Sequence, residues 1–108
     1  MVNLELYRVF YTVAKCGSLT KAAEELYISQ PAVSQSIKQL ETQLGVRLFN
    51  RTHRGMELSA LGGKLIFPEV ERALGLLNAA ESRVTEMQTA AFIFSSEEGI
   101  TKSLLLRR

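Results

Sequence analysis

Gln30, Ser34, Gln35 and Lys38 stand close together in the chain and carry side chains suited to reading a surface rather than reacting with it. A primary amide sets a donor beside an acceptor, and Gln30 and Gln35 can each pair in this bidentate way with the major-groove edge of adenine. The Ser34 hydroxyl can bond a base or a phosphate, and Pro31 or Ala32 can touch a thymine methyl. Lys38 can reach a phosphate or a guanine edge. Between Ser29 and Arg54, Lys38, Arg47, Arg51 and Arg54 face only Glu41, although the whole chain carries a net charge of only +2. Such a cluster is either a solvated face or a phosphate-binding footprint, and which one it is depends on whether the charges project together.

Other chemistry is poorly supplied. The single cysteine, Cys16, forms no internal disulfide, and with one histidine, His53, neither four-cysteine nor two-histidine metal sites can be assembled. No paired carboxylates or glycine-rich phosphate loop occur, so the expectation is no catalytic residue, no metal and no cofactor. The longest apolar runs fall far short of the ~20 residues that span a bilayer. The N-terminus lacks the pattern of a signal peptide. A soluble, cytoplasmic chain of 108 residues, with no membrane partner, is expected.

The elements that must position the polar cluster are legible from caps and periodicity. Asn3 is an N-cap, and Leu6, Phe10, Val13 and Ala14 recur at helical spacing until Cys16-Gly17. Ser18 caps a second, short helix whose buried stripe is Ala22, Ala23 and Leu26. After Tyr27-Ile28, Ser29 caps a third, with Pro31 in its first turn, where a missing N–H is harmless. Val33, Ile37, Leu40 and Leu44 trace its apolar face, which leaves Gln30, Ser34, Gln35 and Lys38 outward, and Gly45 ends it. Val46–Arg51 and Met56–Leu58 then form two short extended runs around Thr52–Gly55, a β-hairpin pattern.

Helix, turn, helix and hairpin in this order is the arrangement of a winged helix-turn-helix DNA reader: a mainly α fold with a small β-hairpin. In it the N-terminal end of the third helix enters the major groove, and the hairpin tip brings Arg54 and His53 to the flanking backbone or minor groove. Each piece has a plainer reading: the glutamines are good helix formers, and Arg51 or Arg54 can pair with Glu57. A protein-docking module is the competing class, and the salt dependence of DNA binding separates the two.

Ser59 caps a last, long helix from Ala60 to about Gln88. Ile66, Val70, Ala73, Leu77, Ala80, Val84 and Met87 step by four and three along it, the a/d seam of a coiled coil. A domain of this size offers too little surface to cover such a stripe, so a partner helix is expected. Pro68 should kink or break the helix near Lys64.

Four stretches together resemble the LysR-type transcriptional regulators: Gly17–Leu26, Ser29–Glu41, Leu44–Arg51 and Leu58–Gly62. The resemblance covers about residues 3–88. It implies a bacterial DNA-binding regulator with a winged helix-turn-helix over residues 1–58 and a linker helix over 59–88. Two linker helices would pair antiparallel into a homodimer or higher oligomer on double-stranded DNA. By the same resemblance Gln30, Pro31, Ser34, Gln35 and Lys38 face the groove, Thr20 and Ala22 lie near the DNA backbone, and Arg51 and Arg54 sit at the wing. Phe10, Ala23, Leu26, Val33, Ile37, Leu40, Leu48 and Phe49 fall at core positions.

The family continues into an effector-binding domain of two α/β lobes. Residues 89–108 lack the glycine-and-strand opening of that domain, so they read as an atypical tail. The expectation is a short or truncated form with no small-molecule effector site in this chain. Phe92-Ile93-Phe94 and Leu104-Leu105-Leu106 are too apolar for a free tail, which leaves it to add to a dimer interface, form a short helix or aggregate.

Overall fold

The computed structural model describes the backbone of residues 1–101 and the side chains of residues 1–90. Its elements are α1 (Leu4–Cys16), α2 (Leu19–Leu26), α3 (Gln30–Leu44), β1 (Phe49–Thr52), β2 (Gly55–Leu58) and α4 (Gly63–Thr101). Two compact units divide the chain, Met1–Arg72 and the segment from Ala73 onward.

Within the first unit, side-chain caps define each helix start. Asn3 accepts the Glu5 amide at 2.8 Å, Ser18 that of Lys21 at 3.2 Å, and Ser29 that of Ala32 at 3.2 Å. Each cap satisfies one of the orphan N–H groups of a first turn, a contribution of about 1 kcal/mol. Gly17 and Gly45 end α1 and α3 in the left-handed conformation, at φ 67° and 73°. Tyr27 ends α2 in the same region, at φ 59°, although it has a side chain to accommodate.

The three helices enclose one core of Leu6, Val9, Phe10 and Val13 from α1, Leu19, Ala22 and Ala23 from α2, and Val33, Ile37 and Leu40 from α3. Leu48 and Phe49 close it from the side of the hairpin. The adjacent Ala22 and Ala23 keep α2 slim where it packs on its neighbours. Val9 and Leu19 belong to this core although the spacing did not single them out, while Leu26 and Leu44 are only half-buried.

Two element starts differ from those the sequence suggests. Strand β1 begins at Phe49 and not Val46, because the Leu48 and Phe49 amides turn to the Glu41 carboxylate, at 2.8 and 3.4 Å. The two strands pair antiparallel from Phe49↔Leu58 to Thr52↔Gly55 around His53-Arg54, and the Met56 amide ties the hairpin to the Gly17 carbonyl at 3.1 Å. Helix α4 begins at Gly63 and not Ala60. The buried Ser59 hydroxyl explains this: it donates to the Arg47 carbonyl at 2.6 Å and accepts the Gly62 and Gly63 amides at 3.2 and 2.8 Å, which folds Ala60–Gly62 into a turn.

Pro68 does not break α4, which runs through it as one helix. The bond to the Lys64 carbonyl is lost. Its neighbours are held firmly, however: the Phe67 ring stacks on Tyr11 at 5.7 Å and meets Phe10 edge-on at 6.2 Å, and Val70 is buried. In the second unit the helix continues past Gln88 with no stop at the expected boundary. The side chains of Phe92-Ile93-Phe94 and all of Leu104-Leu105-Leu106 lie outside the described residues.

Candidate nucleic-acid interface

Helix α3 is two-faced. Val33, Ile37 and Leu40 lie inward, and Gln30, Pro31, Gln35 and Lys38 are exposed, with Ser34 half-buried at the margin. The side chains able to form directional hydrogen bonds with a base edge are therefore brought together on the first turns of one helix. Its N-terminal end also carries the positive end of the helix dipole.

The hairpin supplies cations beside this face. Arg51 is exposed on β1 and has no ion pair among the described residues. Arg54 lies at the tip, where its Nε sits 3.0 Å from Glu57. The two side chains are 73% and 41% exposed, so the pair contributes little to stability. His53 is exposed at the same tip. Thr20 is exposed at the start of α2. Ala22, expected near the DNA backbone, is fully buried, and its amide is bonded to the Ser18 carbonyl at 3.1 Å. It packs the helices together and cannot contact a ligand. Its place in the apolar stripe of α2 already signalled this.

Between α3 and the hairpin lies a cleft of about 150 Å³ lined by Ser34, Lys38, Glu41, Arg47 and Arg51, with Ile37 and Phe49 among its apolar walls. Sequence reasoning assigned no role to Arg47 beyond membership of the basic cluster. Its position between helix and wing became visible only with the fold.

The seam residues of α4 divide between the two units. In the first, Val70 is buried, so it serves this chain's own core and is not available to a partner helix. Ile66 is half-buried and lines an apolar groove with Leu44, Leu48, Leu61 and Leu65. In the second, Ala73, Leu77, Val84 and Met87 are exposed, Ala80 is half-exposed, and Leu76, which the heptad count omitted, is exposed beside Leu77.

Cys16 lacks the setting of a nucleophile. Burial, the Glu25 carboxylate and a hydrogen bond to it raise the thiol above its ordinary range, against the opposing charge of Lys21. Among the described residues no cluster of metal-ligating side chains occurs, and no helix is long and apolar enough to cross a membrane.

A helix pair with an exposed polar second helix, followed by a two-stranded wing, defines a winged helix-turn-helix domain of the DNA-binding kind. Comparison with known proteins places it further. Residues 4–63 match the bacterial regulatory helix-turn-helix proteins of the lysR family, and the chain belongs to that family. It is 42% identical over 86 residues to the glycine cleavage system transcriptional activator homolog of Haemophilus influenzae, which covers 80% of this chain and 28% of that protein. It is 47% identical over 78 residues to the regulator ClcR of Pseudomonas putida, covering 71% and 25%. Among solved structures it is similar to the CbnR DNA-binding domain in complex with DNA, with TM-score 0.68, 32% identity and coverage of 81% and 99%. It is also similar to the BenM DNA-binding domain on catB site 1 DNA, with TM-score 0.71, 28% identity and coverage of 82% and 95%. The chain thus spans about a quarter of the length of the curated relatives it matches.

Proposed function

We propose that this chain is the DNA-reading and dimerising portion of a cytoplasmic LysR-type transcriptional regulator, with no catalytic activity. The observation that carries the proposal is the polar face of α3, with Gln30, Pro31, Gln35 and Lys38 exposed together beside the exposed Arg51 of the wing. In this reading residues 1–58 form the reader and 59–88 the linker. Gln30 and Gln35 read bases through their amides, Pro31 contributes an apolar contact, and Ser34 bonds a base or phosphate. Thr20, Lys38, Arg51 and Arg54 hold the DNA backbone. Similarity to domains solved on DNA supports this orientation.

The partner for α4 is a second copy of the chain. The exposed Ala73, Leu77, Val84 and Met87 keep heptad spacing, and the family resemblance implies antiparallel pairing. Two readers fixed in this way would address two half-sites on double-stranded DNA.

The test is titration of the chain with duplex DNA over a range of salt. A DNA reader gives a linear log–log dependence whose slope rises by ~0.9 for each phosphate neutralised. Affinity that does not change with salt would assign the polar face to a protein partner instead.

A further inference from the structure

The cleft between α3 and the wing has a composition that reading α3 alone does not require. Lys38 comes from the helix, Arg51 from β1 and Arg47 from the connector between them, and all three are exposed. None has an ion pair among the described residues, whereas the cation at the hairpin tip, Arg54, does. The one carboxylate in the cleft, Glu41, directs Oε2 to the Leu48 and Phe49 amides. The remaining walls, Leu19, Ile37, Phe49 and Met56, are largely apolar. Three cations lining one cleft give its mouth a positive field.

The backbone that carries Arg47 is also fixed. Its carbonyl accepts the Ser59 hydroxyl at 2.6 Å, and the next residue's amide is held by Glu41 at 2.8 Å. A Cβ on Gly62 would stand 2.5 Å from that same carbonyl, so Gly62 is what lets the start of α4 close over it. On this immobilised backbone the exposed Arg47 guanidinium binds an anion at the cost of side-chain freedom alone.

We infer that this cleft seats a single phosphate of the DNA backbone, shared by Lys38, Arg47 and Arg51, and that Arg47 is a DNA contact of this protein. The inference rests on the DNA-binding reading and adds to it a specific point of attachment. The seat lies between reading helix and wing and fixes the register of α3 in the groove, while Ser34 on its rim connects it to the base-facing side chains.

The experiment uses the whole chain and a short duplex that it selects from a random pool. Arg47→Gln is expected to bind that duplex roughly tenfold more weakly at low salt, with unchanged base preference. Its side chain makes no hydrogen bond or ion pair among the described residues, so the fold is retained, which circular dichroism checks. If one phosphate is shared, replacing Lys38, Arg47 and Arg51 together with glutamine lowers the log–log salt slope by about 0.9 and not by about 2.7. A scan of neutral methylphosphonates finds one position that weakens the unaltered chain more than it weakens Arg47→Gln, which keeps only Lys38 and Arg51 at the seat. Equal sensitivity of both proteins at every position, or full affinity of Arg47→Gln, overturns the seat while leaving DNA binding intact. Failure of the unaltered chain to select any duplex removes the DNA-binding reading and the seat with it.

Discussion

The Glu41 carboxylate on α3 accepts the backbone amide of Leu48 at 2.8 Å, across a separation of seven residues, and so joins the reading helix to the connector that leads into the wing. The same oxygen also reaches the Phe49 amide at 3.4 Å. A helix and a hairpin that meet a duplex together need a fixed relation to each other, and this charge-assisted bond supplies part of it. Glu41→Ala is expected to lower stability by about 1–3 kcal/mol, because it leaves two partly buried amides without a partner. DNA affinity should fall as well. Chemical denaturation measures the first effect and duplex titration the second; unchanged values in both would show that the bond positions nothing.

Tyr27 closes α2 at φ 59° and is 93% exposed as a residue. A Cβ in the left-handed region costs ~1–2 kcal/mol, and an exposed ring recovers little of it by packing. Tyr27→Gly removes that cost but gains freedom in the unfolded chain. The net expectation is a stabilisation of about 0.5–1 kcal/mol, read as an upward shift in the thermal midpoint. A lower midpoint would mean that the ring makes a compensating contact.

Two glycines of α4 should respond in opposite ways to alanine. A Cβ at Gly63 would collide with the Leu48 carbonyl and stand 2.9 Å from the Leu58 side chain, so Gly63→Ala must push the helix start off the hairpin. It should cost about 1–3 kcal/mol, the range of overpacked buried sites. Gly75 has nothing within 4 Å of such a Cβ, and Gly75→Ala should stabilise by about 0.5–1 kcal/mol through helix propensity alone. Similar effects of both changes on the denaturation midpoint would contradict the packing described at Gly63.

Leu77 is 44% exposed on a stripe with Ala73, Val84 and Met87, and a guanidinium there cannot be buried against its own copy without a partner. Leu77→Arg should convert a dimer to monomers in analytical ultracentrifugation and weaken binding to a two-half-site duplex far more than to a single half-site. A monomeric unaltered chain would count against the seam as a whole.

The reader was largely legible in the sequence because its signals are local. Asn3, Ser18 and Ser29 cap helices by bonding amides two or three residues on, and Gly17 and Gly45 mark their ends through backbone conformation. Features set by distant contacts were not legible. Val46–Leu48 has the composition of a strand, yet Glu41 and Ser59 claim its backbone groups. Ser59 looked like the N-cap of a helix at Ala60, but its hydroxyl also serves the Arg47 carbonyl, and the helix waits until Gly63. Val70 fits the heptad as well as Leu77 does, and only the tertiary fold assigns it to the chain's own core. Arg47 stayed unassigned for the same reason: residues remote in sequence bring it beside Lys38 and Arg51.

Base preference measured for Gln35→Ala tests the central claim most directly. Gln35 is exposed on α3, its side chain makes no hydrogen bond among the described residues, and its truncation leaves the core untouched. Selection from a random duplex pool, run in parallel for both proteins, should show preference relaxed at one or two base pairs in each half-site. Affinity for the parent duplex should be lower by ~1–3 kcal/mol. Equal weakening on every sequence, or an identical selected site at full affinity, would contradict the assignment of this face to base reading.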